Sequence, residues 1–119
     1  MSYQKDRDEF IGQIVTEVMA KGGTNNQGVD LARLILRNAS TMQRLAERRC
    51  SVEMSEAQAK REEAQDAACQ ARIAKACEPW GIKPNFNGDP RGACVKLILP
   101  SGRYNSWGGA EDGFCVPTR

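Results

Sequence analysis

Apolar residues recur at three- and four-residue intervals through the first two-thirds of the chain. These intervals place apolar side chains on one face of an α-helix, as Phe10, Ile14 and Val18 show in the first such run. The pattern predicts helices over about residues 4–21, 29–49 and 55–78. The first two-thirds, residues 1–78, is therefore predicted to be a helical region.

Local signals mark the ends of these helices. Gly22-Gly23 follows the first apolar run and is typical of a helix end, because glycine adopts the left-handed capping conformation at little cost. The polar stretch 24–28 is then expected to be an exposed connector. Ser55 precedes Gln58 by three residues, which predicts a capping box at the start of the third helix.

The predicted third helix carries a stripe of small side chains. Cys69, Ile73 and Cys77 lie to one side of this stripe. Alanine favours helix formation but buries little area, so we expect the stripe to approach another helix closely. That helix belongs either to a symmetry-related copy in a homodimer or to this chain, and both alternatives remain open. The stripe consists of Ala57, Ala64, Ala67, Ala68, Ala71 and Ala74.

The pattern changes at Pro79, which ends or kinks the helix before it. The rest of the chain, residues 79–119, alternates short β-prone runs with turn signals such as Asp89-Pro90-Arg91-Gly92. It is predicted to be a small antiparallel meander of three or four strands, which needs the helices to cover one face. We expect it to pack near the Ile73–Trp80 end of the third helix, which makes the fold class α+β. The predicted strands are Ile82–Phe86, Cys94–Leu99, Arg103–Trp107 and Phe114–Val116.

Charge and cysteine content narrow the function. Residues 1–78 carry 12 basic and 12 acidic side chains, and the remainder has an excess of two basic ones, which argues weakly against a dedicated nucleic-acid binder. The charged N-terminal stretch resembles neither a secretory signal nor a membrane span. Five cysteines without any Cys-x-x-Cys pair are typical of reduced, buried thiols in the cytoplasm. The chain has no histidine, and we expect no catalytic residue, no metal and no cofactor.

One patch on the predicted sheet combines basic and aromatic side chains. Such groups hold a phosphate backbone and stack bases, or they anchor a protein interface. Packing of Tyr104 and Trp107 over the helix–sheet junction, with the basic groups solvated, is the structural alternative. We expect the patch to bind a partner through Arg91, Lys96, Arg103, Tyr104, Asn105 and Trp107.

Two segments of the chain carry a recognisable residue pattern. The first is the C-terminal run Phe86–Gly92, followed by Val95-Lys96-Leu97 and by Leu99–Gly108, which reads LPSGRYNSWG. The second is Ala32–Glu47. Both segments resemble small proteins of tailed phages and prophages, and the second is similar to the N-terminal helix of those proteins. The resemblance transfers no activity to any residue. Some relatives hold Cys-x-x-Cys pairs between the two segments, whereas this chain has isolated cysteines there, so zinc is not implied.

The resemblance implies an accessory protein of phage origin that binds and blocks a host machine, such as a CRISPR complex or another defence system. The leading hypothesis is a non-enzymatic inhibitor or modulator of a host protein or ribonucleoprotein complex in the host cytoplasm. The charged turns of the third helix offer a second surface for such binding. A nucleic-acid-binding regulator that uses the sheet patch is less favoured, and a helical self-assembly protein is the third hypothesis.

Overall fold

The computed structural model describes residues 3–51, 53–86, 95–102 and 114–118. In these residues three helices precede a three-stranded antiparallel sheet, so the predicted α+β class is confirmed. The helices are α1 (Tyr3–Ala20), α2 (Asn25–Ser51) and α3 (Glu56–Cys77), and a 3₁₀ turn covers Glu78–Trp80. The strands are β1 (Lys83–Asn85), β2 (Lys96–Ile98) and β3 (Phe114–Cys115).

Helix α2 begins four residues earlier than the sequence pattern predicts. Thr24 accepts a hydrogen bond at its hydroxyl from the backbone N–H of Gln27 (3.1 Å), and the Gln27 side chain accepts one from the backbone N–H of Thr24 (2.9 Å). This reciprocal pair is a capping box, which satisfies backbone donors that the first turn leaves free. The stretch 24–28, expected to be a connector, is therefore mostly the first turn of α2. At Ser55 the structure shows the N-cap half of the predicted capping box: the Ser55 hydroxyl accepts from the Gln58 N–H at 3.2 Å, while the Gln58 side chain donates to Glu62 at 3.2 Å.

The inner face of α3 differs from the expected alanine stripe. Cys69, Ile73 and Cys77 are buried, and they follow one another at four-residue intervals. These side chains bury more apolar area than alanine does, so packing against the rest of the chain favours their face. Most of the alanine stripe is exposed, namely Ala57, Ala64, Ala67, Ala71 and Ala74, and Ala68 is half-buried.

The sheet has β2 at its centre and β1 and β3 at its edges. Leu97 lies opposite Pro84 on one side and opposite Phe114 on the other. The carbonyl of Val95 accepts a hydrogen bond from the N–H of Val116 (3.1 Å), which extends the β2–β3 pairing by one residue. The expected strand Arg103–Trp107 lies outside the described residues.

One hydrophobic cluster joins the sheet to all three helices. The rings of Phe10 on α1 and Phe114 on β3 are 5.7 Å apart, and Ile73 and Cys77 contribute the α3 side, as expected for this end of α3. A buried carboxylate, Glu17 of α1, accepts hydrogen bonds from Gln13 and from the hydroxyl of Ser101 in the turn after β2. The sheet is thus held to α1 by both apolar and polar contacts.

Helices α1 and α2 approach each other closely at Gly28. A Cβ atom added to Gly28 would lie 2.6 Å from the Cα atom of Val15, so no larger residue fits without separating the two helices. The short connector between the helices makes them neighbours in sequence and in space. The solvent-exposed sides of α1 and α2 therefore lie next to each other.

Candidate anion-binding groove

The described residues include one member of the site predicted on the sheet. Lys96 lies on β2 and is half-buried, next to the fully buried Leu97 on the opposite face of the sheet. The other five residues, Arg91, Arg103, Tyr104, Asn105 and Trp107, lie outside the described residues. The sheet patch therefore stays a prediction.

A different group of basic residues converges on a groove between α1 and α2. Arg7 comes from α1, and Arg33 and Arg37 come from α2. Ser40 adds a hydroxyl and Leu36 an apolar wall to the same groove, which encloses about 260 Å³. We call this site the arginine groove.

Helical geometry explains why these side chains meet. Arg33 and Arg37 are four residues apart, so they lie one above the other on the same side of α2, and Ser40 falls on that side one turn later. Leu36 is buried and turns towards the core. The antiparallel packing of α1 on α2 then adds Arg7, which is far away along the chain.

Within the described part of the chain, no residue forms an ion pair or hydrogen bond with the guanidinium groups of Arg7, Arg33 or Arg37. Two like charges at a four-residue spacing destabilise a helix slightly, so Arg33 and Arg37 do not contribute to folding through charge. A guanidinium group has five N–H donors and a planar shape that matches the oxygens of a phosphate or carboxylate. The arginine groove therefore presents unpaired donors suited to an anion.

Two arginines near α3, Arg48 and Arg72, differ from those of the groove because they have partners. Arg48 contacts both carboxylate oxygens of Glu62, at 3.3 Å from Nε and 3.0 Å from Nη2. Arg72 donates from Nη1 to the side-chain oxygen of Asn38 (3.3 Å), so this buried amide links α2 to α3. The first contact neutralises the charge of Arg48, and the second satisfies the buried amide of Asn38. The guanidinium groups of the arginine groove make no such contact with a described residue.

A larger cavity of about 540 Å³ lies between α2 and α3. Arg44 and Arg48 line it together with Glu47 and Glu62, so its charges are mixed. The hydrogen bond from Arg48 lowers the pKa of Glu62, which keeps this carboxylate ionised next to its partner. Arg48 is already paired with Glu62, and the carboxylate of Glu47 also lines the cavity, so the cavity is a weaker candidate for an anion.

Three cysteines in the described part of the chain are buried and form no disulfide bond, namely Cys69, Cys77 and Cys115. Burial raises the pKa of Cys77 to about 12, and burial is also the main reason why the pKa of Cys69 is raised. Both thiols therefore stay protonated at neutral pH, and a protonated thiol is a poor nucleophile and metal ligand. Across the described ranges, no group of three or more cysteine or acidic side chains is placed to hold a metal ion.

Sequence reasoning did not find the arginine groove because it counted charge over the whole helical region. The 12 basic and 12 acidic residues there cancel in number, but they do not cancel in space. The available signal was the pair Arg33 and Arg37 on the polar side of an amphipathic helix, with no acidic residue between them. The contribution of Arg7 needed the packing of α1 on α2.

Comparisons with known proteins do not assign this chain to a family. No family model, curated protein or solved structure matches this chain. None of the helices in the described residues is both long enough and apolar enough to span a bilayer.

Proposed function

We propose that this chain is a non-enzymatic binding protein that inhibits or modulates a nucleoprotein complex of the host cell by stoichiometric binding. The observation that carries the proposal is the arginine groove, where Arg7, Arg33 and Arg37 converge without a counterion among the described residues. Cationic groups that stabilise nothing within their own chain are available for an anionic partner. A nucleoprotein complex offers such a partner on its surface.

The resemblance to tailed-phage proteins supports a defence complex of the host as the target. A phage accessory protein that acts by binding would meet its target in the host cytoplasm, and a CRISPR or other defence complex contains both protein and nucleic acid. The sheet patch, with Arg103 and Trp107 as its main anchors, is the proposed second contact. In this proposal the arginine groove supplies charge and the sheet patch supplies aromatic contact area.

The test is inhibition of a purified defence complex by the purified full chain. Inhibition is expected to saturate at a fixed ratio of chain to complex, because a binding inhibitor is not a catalyst. The double substitution Arg33→Gln/Arg37→Gln is expected to weaken inhibition at least tenfold. The control Lys21→Gln/Lys75→Gln also removes two exposed positive charges, both outside the groove, and is expected to inhibit like the unchanged chain.

Two results would contradict the proposal. One is turnover of any component of the complex at substoichiometric amounts of the chain, which would indicate an enzyme. The other is the absence of binding to any defence complex when each is tested at micromolar concentration. Loss of inhibition in Arg103→Glu or Trp107→Ala alone would instead assign the main contact to the sheet patch.

The exposed alanine stripe of α3 bears on the oligomeric state. Most of the stripe is exposed to solvent, and homodimerisation through α3 stays a prediction. Mass measurement over a range of concentrations tests it, and a monomer at all concentrations would remove both the homodimer and the self-assembly hypothesis.

A further inference from the structure

We infer that the arginine groove seats a phosphate group of a nucleic-acid strand, and that neighbouring phosphates of the same strand follow α2 towards Arg44. This inference rests on the proposed function and deepens it, because it assigns the groove to the nucleic-acid component of the complex. It also places the contact on the helices, away from the sheet patch where the sequence predicted it.

The donors in the groove fit phosphate chemistry. Arg7, Arg33 and Arg37 approach from two helices, so an anion between them is contacted from more than one side. Each guanidinium group can donate two parallel hydrogen bonds to phosphate oxygens, and the hydroxyl of Ser40 can donate another. A volume of about 260 Å³ leaves room for a phosphate group and several waters, and the groove is open to solvent, as a phosphate within a chain requires.

The same side of α2 continues beyond the groove as a row of basic residues. Arg44 and Arg48 follow Arg33 and Arg37 at positions that share this side, since each lies three to four residues, or a multiple of that, from the next. From Arg33 to Arg44, beyond which Arg48 is paired with Glu62, the row extends about 16 Å along the helix axis. In a duplex this length corresponds to roughly five base pairs, so the row suits several phosphates better than one small anion.

Arg44 is oriented along this row. Its Nη2 donates to the hydroxyl of Thr41 (3.3 Å), and Thr41 in turn donates to the backbone carbonyl of Arg37 (3.2 Å). Arg44 has no ion pair with a described residue, whereas Arg48 is paired with Glu62. Four guanidinium groups, those of Arg7, Arg33, Arg37 and Arg44, are thus left for phosphates.

The surface chemistry of α2 favours nucleic acid over a protein. Protein interfaces depend on apolar and aromatic anchors in their centre. The outward side of α2 presents Arg33, Arg37, Ser40, Thr41 and Arg44, and none of these is apolar. Within the described ranges, the large apolar side chains that are exposed are Met19 on α1 and Ile98 on β2, and neither borders the groove.

Contacts of this type predict a specific salt dependence. A protein that neutralises four phosphates loses affinity with a log–log slope of roughly −3.6 for duplex DNA and −2.8 for a single strand. Removal of one phosphate contact lowers the magnitude of the slope by about 0.9 or 0.7, respectively. These contacts are made to the phosphate backbone of the nucleic acid, so we expect no preference for particular bases.

The experiment measures fluorescence anisotropy of labelled 20-nucleotide single strands and 20-base-pair duplexes with the full chain, from 50 to 200 mM salt. Arg37→Gln is expected to weaken binding at 50 mM salt about tenfold. It is also expected to lower the magnitude of the log–log salt slope by the value of one phosphate contact, about 0.9 for the duplex and about 0.7 for the single strand. The control Arg61→Gln makes the same change of charge on α3 and is expected to change affinity less than twofold. Arg37→Lys keeps the charge but lacks the planar donors, so its affinity is expected to lie between those of Arg37→Gln and Arg61→Gln. Circular dichroism of each variant verifies the fold.

Three outcomes would overturn the inference: no binding to either nucleic acid at 50 mM salt, equal losses in Arg37→Gln and Arg61→Gln, or equally tight binding of poly-glutamate of matched charge. The last would assign the groove to an acidic protein surface. These failures are distinguishable from failure of the proposed function. If Arg33→Gln/Arg37→Gln abolishes inhibition of a defence complex but the chain binds no nucleic acid, the proposed function stands and this inference is wrong. If the chain binds strands through the groove but inhibits no complex, the proposed function fails.

Discussion

The close approach of α1 and α2 makes two glycine-to-alanine substitutions differ in sign. Gly12 lies in the middle of α1 and Gly28 in the first turns of α2. Intrinsic helix propensity favours alanine at both positions by up to about 1 kcal/mol. A Cβ atom at Gly12 would meet no heavy atom within 4 Å, whereas at Gly28 it would lie 2.6 Å from the Cα atom of Val15.

The clash at Gly28 involves backbone, so a side-chain rotation cannot relieve it. Normal carbon–carbon contact requires the two helices to separate locally by roughly 1 Å. A gap of that size weakens the dispersion contacts around it, and overpacking of this kind costs about 1–3 kcal/mol. After the gain in helix propensity, we expect Gly28→Ala to lower the free energy of unfolding by up to about 2 kcal/mol. Gly12→Ala is expected to raise it by about 0.5–1 kcal/mol.

Urea denaturation followed by circular dichroism measures both free energies, and the comparison between the two variants cancels most errors of extrapolation. If Gly28→Ala is as stable as Gly12→Ala, the tight α1–α2 contact is wrong. The arginine groove would then also be in doubt, because the position of Arg7 relative to Arg33 depends on this packing.

Two further predictions concern charge. The buried thiol of Cys77 has its pKa raised to about 12 by desolvation, while in the unfolded chain it titrates near 9.0, so above pH 9 the unfolded chain loses a proton that the folded chain keeps. Ionisation of Cys77 is therefore expected to lower the free energy of unfolding as the pH rises, by about 1.4 kcal/mol at pH 10. An unchanged pH dependence in Cys77→Ala would refute the assignment to this thiol. Arg37→Gln removes a like-charge pair with Arg33, so urea denaturation is expected to show unchanged stability or a gain of up to about 0.5 kcal/mol, and a loss above 1 kcal/mol would mean that Arg37 has a structural partner.

The helices and strands of this chain follow from signals that are local in sequence. Three-to-four periodicity places α1, α2 and α3, and Pro79 with Gly81, which adopts φ +70°, ends the helical part. Period-two alternation around Leu97 locates β2. The early start of α2 is equally local, since the Thr24–Gln27 capping box is present in the sequence, although its polar composition is also typical of a connector.

Tertiary packing decided which side of each helix faces the core. On α3 the sequence offers an alanine face and a face with Cys69, Ile73 and Cys77, and the second is buried because its larger side chains remove more apolar area from water. The arginine groove needed the same level of structure. Arg7 is 26 residues before Arg33 in the chain, and only the packing of α1 on α2 brings their charges to one anion site. Sequence periodicity describes the sides of single helices, whereas a site between two helices depends on the contact that holds them together.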